Sequence, residues 1–264
     1  MYVADCPVQF PLGNILFYAD DVKMYKKISS PDDHFLLQDD INRFYTYCTA
    51  WGLSMNPEKS SVLTFSLKPS PAMFPYSVNN TPVPRTHVQR DLGVLFDPKC
   101  TFAEHINTVK KKCHVAISCL SYGFRNLRSR ASYILLYNAN VVSRMFYCSV
   151  VWAGAADYLL KSLEPLQNRF LRFINWRLSL PKEFSGTELR KRFGVLSVKE
   201  KLGQLDMRMF KKLLPNPSFP EIRERPVLRP GMRANERYII PKLKKSKCMS
   251  FFFYRAAKAA CECE

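Results

Sequence analysis

The stretch Ile15-Leu16-Phe17-Tyr18-Ala19-Asp20-Asp21-Val22-Lys23-Met24-Tyr25 constrains the fold more than any other part of the chain. An apolar, aromatic-rich run enters two adjacent acids and leaves through apolar residues alternating with Lys23 and Tyr25. This spacing predicts a strand, a tight turn and a second strand. Asp is a common turn residue, so the simplest consequence is a surface hairpin with two solvated acids. Adjacent carboxylates on paired strands can also help clamp Mg²⁺, and a two-metal site stabilises the attacking and leaving oxygens of a phosphoryl transfer.

The rest of the composition narrows the choice. With 264 residues there is room for one large domain or two smaller ones and for a sizeable core. Lys and Arg number 40 against 22 Asp and Glu, a net charge of +18. Such an excess favours a polyanionic partner, nucleic acid before an acidic membrane, since no amphipathic basic helix stands out for a membrane. Nine cysteines are scattered along the chain, and Cys261-Glu262-Cys263 holds the one close pair, with no second pair to complete a zinc site. They read as reduced and mostly structural. No signal-like segment begins the chain and no apolar stretch approaches a membrane span. The expectation is an intracellular protein, nuclear or cytoplasmic, with no membrane partner.

The sequence around the paired acids carries a family resemblance. Phe17-Tyr18-Ala19-Asp20-Asp21 resembles the aromatic-Ala-Asp-Asp box in the palm of reverse transcriptases, and Val22-Lys23-Met24-Tyr25-Lys26-Lys27 resembles its version in non-LTR (LINE-type) retrotransposons. Met1-Tyr2-Val3-Ala4-Asp5-Cys6-Pro7 is similar to the segment that precedes this box, with Cys6 where Leu is usual. Downstream, Ser30-Pro31-Asp32-Asp33 announces a helix. Leu37, Ile41, Phe44, Cys48 and Trp51 mark its apolar face and Gly52 its end. Trp51-Gly52-Leu53-Ser54-Met55-Asn56-Pro57-Glu58-Lys59-Ser60 then resembles another block of the family, followed by a strand-like Ser61 to Phe65. By itself Lys59 reads as a solvated lysine after a turn. The resemblance implies that it protonates the departing pyrophosphate, a role that suits a positioned Lys.

Leu67 to Pro75 reads as a Pro-rich loop, and Asn79-Asn80 as a hairpin turn. In Gln89-Arg90-Asp91-Leu92-Gly93-Val94-Leu95-Phe96-Asp97, Leu92, Val94 and Phe96 alternate, and Gly93 is a bulge or close-approach point. This block is similar to one that grips the primer end. From Thr101 the pattern is helical. Thr101-Phe102-Ala103-Glu104 has the form of a capping box, and Phe102, Ile106, Val109, Cys113, Ile117 and Leu120 follow at helical spacing. Further helices are expected over roughly 129–147, 158–175 and 198–214, the last announced by Ser197 and Glu200. The first two of these should bury Ile134, Leu135, Val141 and Met145 against Leu159, Leu163, Leu166, Phe170 and Ile174. Thr101-Phe102-x-x-His105-Ile106 and Leu166-Gln167-Asn168-Arg169-Phe170-Leu171-Arg172 resemble the thumb and post-palm segment of LINE-type enzymes. Beyond Pro215 the chain is rich in Pro and basic residues. Lys242-Leu243-Lys244-Lys245-Ser246-Lys247 precedes a Ser-Phe-x-x-Arg-Ala-Ala-like piece around Arg255. The basic run is a solvated face, a phosphate contact or a nuclear localisation signal.

These readings combine into an α+β chain. Residues 1–99 form a partial polymerase palm of antiparallel hairpins plus a helix. A helical thumb-like region covers 100–214, and a basic, irregular, Pro-rich tail covers 215–264. The resemblance implies RNA-directed DNA synthesis in a parent enzyme, with Asp20 and Asp21 as catalytic Mg²⁺ ligands and Lys59 as the acid. Its partners there are an RNA template, a DNA primer and deoxynucleotide triphosphates. Only nineteen residues precede Asp20, so the upstream catalytic Asp, the Gly-rich block and the fingers are expected to be missing, and the chain alone to be inactive. The rivals are a retrotransposon-derived nucleic-acid binder without catalysis and a decayed gene product.

Overall fold

The computed structural model describes residues 14–124, 126–181 and 185–213, with positions 227–228, 238–239, 252, 255–256 and 259 further on. The segment through Gly13, the Lys242–Lys247 run and the Cys261–Cys263 pair lie outside the described residues. Small two-stranded hairpins and one helix make up the early part of the chain and a run of helices the later part, and the chain divides into two compact units. The first holds the described residues up to Asp91 together with Asp97–Lys99. The second holds Leu92–Phe96 and the chain from Cys100 onward.

The first unit opens with strands β1 (Asn14–Tyr18) and β2 (Asp21–Tyr25), paired antiparallel, as expected from the sequence. Helix α1 (Asp32–Ala50) follows and packs under them. Ser30 does not cap it: the carboxylate of Asp33 instead accepts from the backbone N–H groups of Ser29 and Ser30, both at 2.8 Å. At the other end Gly52 sits at φ 69. The N–H of Leu53 donates to Cys48 O and that of Gly52 to Thr49 O, the pairing of a Schellman motif. Trp51 lies just past the last helical turn and is half exposed rather than part of the apolar face. Phe44, Tyr47 and Cys48 form a small core that Ile15, Phe17, Met24 and Met55 complete. Strands β3 (Ser77–Val78) and β4 (Thr81–Pro82) meet at Asn79-Asn80, where both residues have positive φ, as that turn requires. The expected strand over 61–65 is reduced to one bridge, Val62 with Arg85. The Arg85 guanidinium ties this region down by donating to Thr64 Oγ1 and to Phe74 O.

The chain leaves the first unit through β5 (Gln89–Asp91) and enters the second through β6 (Val94–Phe96). Leu92 and Gly93, with φ 43 and 86, have turn geometry, so Leu92 does not continue a strand with Val94 and Phe96. The second unit is built on α2 (Ala103–Gly123), whose Ile106, Val109, Cys113, Ile117 and Leu120 are all buried at the expected spacing. Phe102 itself occupies the cap position in a left-handed conformation.

The expected helix over 129–147 is α3 (Arg130–Tyr137), a π turn over Asn138–Val142, and the short α4 (Ser143–Met145). After α5 (Ser149–Trp152), the expected helix over 158–175 is two pieces. These are α6 (Asp157–Lys161) and α7 (Glu164–Arg177), separated at Ser162-Leu163. The two apolar faces do bury against one another, chiefly through aromatics. Tyr137 stacks on Phe170 at 4.8 Å, and Tyr133 meets Phe173 edge-on at 5.8 Å. Leu135 is the exception and points to solvent at 70% exposure.

Helix α8 (Gly186–Phe193), not anticipated, begins with a reciprocal capping box between Ser185 and Glu188 and ends at left-handed Gly194. Helix α9 (Val198–Leu213) begins with the expected box, Ser197 N–H donating to Glu200 Oε2 at 2.8 Å and Glu200 N–H to Ser197 Oγ at 3.2 Å. Late in the chain β7 (Val227–Leu228) pairs with β8 (Tyr238–Ile239), and Arg255 grips the buried carboxylate of Asp206 on α9 at 3.0 Å.

Candidate active site

The β1–β2 hairpin places the two acids at its tip in different backbone roles. Tyr18 pairs with Asp21, leaving Ala19 and Asp20 as a two-residue turn. Ala19 takes φ 54, a left-handed conformation that a Cβ disfavours by about 1–2 kcal/mol. Asp20 thus projects from the turn, and Asp21 opens β2 in strand geometry; both are exposed. Residues directly paired across strands share a face. Ile15 and its partner Met24, with Phe17, meet the α1 core, and Phe17 lies 6.1 Å from the Phe44 ring. Asp21 therefore shares the opposite face with Tyr18, Leu16 and Lys23. Lys23 on that face is held by Asp91 at 2.6 Å rather than by either tip acid.

Two adjacent carboxylates offer the hard oxygen donors that Mg²⁺ prefers, and Mg²⁺ is commonly held by one or two carboxylates plus phosphates. The donor pair fits that ion in kind. Among the described residues no third His, Cys, Asp or Glu gathers with them. Lys59 lies elsewhere in the same unit, in a turn where Asn56 Oδ1 accepts from its backbone N–H at 3.1 Å, and its side chain is exposed. No hydrogen bond or ion pair among the described residues joins it to Asp20 or Asp21.

Within the second unit, two side chains hold the Leu92–Phe96 stretch. The Tyr147 hydroxyl donates to Leu92 O at 3.0 Å, and its ring lies so close that a Cβ on Gly93 would sit 3.1 Å from it. The close approach at Gly93 was readable from the sequence; its partner was not. From α2, His105 Nδ1 accepts from Leu95 N–H at 3.3 Å, which assigns its proton to Nε2. His105 is buried beside Trp152, at 5.8 Å between rings, with Nε2 unpartnered. Burial, with help from Lys112, pushes its pKa below the usual imidazole range. His105 belongs to the Thr101-Phe102-x-x-His105-Ile106 piece, but nothing in its spacing foretold this contact.

The chain is similar in sequence to RNA-directed DNA polymerases of mobile elements. It is 27% identical over 60% of its length to the probable RNA-directed DNA polymerase from transposon X-element of Drosophila melanogaster, covering 18% of that protein. It is 26% identical over 66% of its length to the RNA-directed DNA polymerase from mobile element jockey of Drosophila funebris, covering 20% of it. It is 25% identical over 77% of its length to the probable RNA-directed DNA polymerase from transposon BS of Drosophila melanogaster, covering 23% of it. The chain thus spans about a fifth of the length of these curated relatives. No family model and no solved structure matches it.

Proposed function

From its likeness to the RNA-directed DNA polymerases of non-LTR retrotransposons, we propose that this chain is the later part of such an enzyme, with the β1–β2 hairpin as its catalytic tip. The observation that carries this reading is that the aromatic-Ala-Asp-Asp box folds as a two-residue hairpin with both carboxylates exposed. Asp20 and Asp21 are the residues that would hold Mg²⁺. When bound, Mg²⁺ offsets charge on the attacking and leaving oxygens of nucleotidyl transfer. The chain's own contribution is positional: α1 fixes the inner face of the hairpin through Phe44, and the turn at Ala19 presents the acids. Lys59 is assigned to protonation of the departing pyrophosphate, on the strength of its block alone. The region 1–99 would be the late palm, 100–214 the thumb and following helices, and 215–264 a basic tail, working on an RNA template, a DNA primer and deoxynucleotide triphosphates.

The test is primer extension on an RNA template with Mg²⁺. The polypeptide of residues 1–264 should give none, because the hairpin supplies carboxylates from one tip only and two-metal chemistry draws on more than one strand. The protein of the whole reading frame that contains this chain should extend the primer, and Asp20→Asn or Asp21→Asn should abolish that extension. Extension that survives both substitutions would refute the site.

A second reading, a nucleic-acid binder without catalysis, is favoured by the net charge of +18. It requires affinity for an RNA–DNA duplex that falls steeply with salt and ignores Asp20→Asn. No binding at physiological salt would exclude it.

A further inference from the structure

The second unit carries a surface that the hairpin chemistry does not use. Helices α2 and α7 pack side by side, and His114 of α2 lies 2.9 Å from the Arg169 guanidinium of α7. Tyr133 fixes their relative direction: its hydroxyl donates to Phe124 O at the end of α2, and its ring meets Phe173 near the end of α7. The two helices therefore run parallel, with their C-terminal halves together.

Each of these helices has a single acid, in its first turn: Glu104 in α2, and in α7 Glu164, which is taken up by Arg190 at 2.8 Å. Beyond those first turns both are purely cationic, with Lys110, Lys111 and Lys112 on one and Arg169, Arg172 and Arg177 on the other. The positive charge is interleaved with exposed rings. On α7, Arg169, Arg172 and Trp176 fall at i, i+3 and i+7, one face of the helix. On α2, Lys111 and Tyr122 fall at i and i+11, again one face. Trp176 is 60% exposed and Tyr122 72%. The Trp176 ring is not loose: the Arg177 guanidinium sits over it at 5.2 Å, and Phe173 lies tilted against it at 6.4 Å.

We propose that this α2–α7 face binds single-stranded nucleic acid, its arginines and lysines following the phosphates and Trp176 and Tyr122 stacking on unpaired bases. The charge calls for a polyanion, and the rings select its form. A duplex keeps its bases stacked on each other and offers a side-on surface mainly its backbone, where an exposed Trp gains little. An unpaired strand offers a π-face at each base. At 1.5 Å per residue, Arg169 and Trp176 are about 10 Å apart along α7, a reach of roughly two nucleotides. This surface is independent of the polymerase reading, since it uses neither Asp20 nor Asp21.

The test is fluorescence anisotropy of the full chain with a labelled 12-nucleotide oligo(U), which has no structure of its own, at physiological salt. The oligo should bind, and an RNA–DNA duplex of the same length should compete less well. Trp176→Ala should weaken oligo(U) binding about tenfold, the order of one lost base stack, while Trp176→Phe retains most of it. The pair Arg169→Gln with Arg172→Gln should lower the slope of log affinity against log salt by about 1.4, two phosphates' worth for a single strand. All of these side chains are at the surface, and circular dichroism would verify that each variant folds. Because oligo(U) binding is read directly and not through primer extension, this result is separate from the fate of the catalytic hairpin. Equal or tighter duplex binding that ignores Trp176→Ala, binding to anionic phosphatidylserine vesicles instead of oligo(U), or no binding at all would each overturn the proposal.

Discussion

Asp20 and Asp21 are neighbours with different jobs in the backbone, and the difference is set by Ala19. Its φ of 54 lets the chain reverse in two residues, so that Asp20 caps the turn while Asp21 stays in register with Tyr18. Ala19→Gly should relieve the left-handed strain and stabilise the first unit by about 0.5–1 kcal/mol in urea unfolding. No gain would mean that the turn is not strained. Asp40 is a second telling residue: its carboxylate is fully buried on α1 with neither oxygen hydrogen-bonded, and burial raises its pKa. A raised folded-state pKa means that the folded chain binds the proton more tightly than the unfolded one. Stability is then highest below the unfolded value and falls as pH rises through the folded value. Asp40→Asn should flatten that fall and raise stability at neutral pH, measured as thermal midpoint against pH. His105 works with the opposite sense. Its lowered pKa means that the folded state binds fewer protons, so stability of the second unit is lost as pH falls below the unfolded value near 6.5. His105→Asn, which keeps an acceptor for Leu95 N–H, should remove that acid sensitivity.

At the scale of elements, the Leu92–Phe96 stretch is held by what packs on it rather than by its own length. Gly93→Ala faces both a φ of 86 and the Tyr147 ring at 3.1 Å, so it should destabilise the chain by about 1–3 kcal/mol. Tyr147→Ala should absorb part of that cost in a double-mutant cycle, and strict additivity would deny the contact. Helix α8 depends on its box, and Ser185→Ala should cost about 0.5–2 kcal/mol.

Elements with a local signal were legible. The Asp-Asp hairpin, the Asn79-Asn80 turn, the stop at Gly52, the Ser197–Glu200 start and the α2 stripe follow from short-range chemistry. The break at Ser162-Leu163 was not, because the apolar period runs through it from Leu159 to Phe170. The π turn over Asn138–Val142 likewise preserves a helical face and leaves no mark in the pattern. Helix α8 did have a signal, Ser185-x-x-Glu188, in a stretch so short that its apolar face is only Leu189 and Phe193. The contacts of His105, Tyr147 and Arg255 join residues distant in the chain, and no local spacing encodes them.

For the whole molecule, the two units differ in how much they bury. In the second, Ile106, Tyr137, Trp152, Leu163, Phe170 and Ile174 are all inaccessible to solvent within one continuous core. In the first, the cluster under the hairpin is Phe44, Tyr47 and Cys48. Hydrogen exchange should therefore find α2 and α7 better protected than β1, β2 and α1, and the reverse order would contradict this division of stability. The residues proposed for chemistry, Asp20, Asp21 and Lys59, lie in the more weakly buried unit, as does the β1–β2 pair.

The claim that this chain is the later part of a polymerase is tested most directly by reading the 5′ end of the transcript that encodes it. The expected result is a reading frame that continues upstream, in phase, through a strand block bearing an Asp and then a Gly-rich block, which would supply the carboxylate that the Asp20–Asp21 hairpin lacks. A transcript that starts near Met1, or stop codons immediately before it, would contradict the polymerase assignment and leave nucleic-acid binding as the function to pursue.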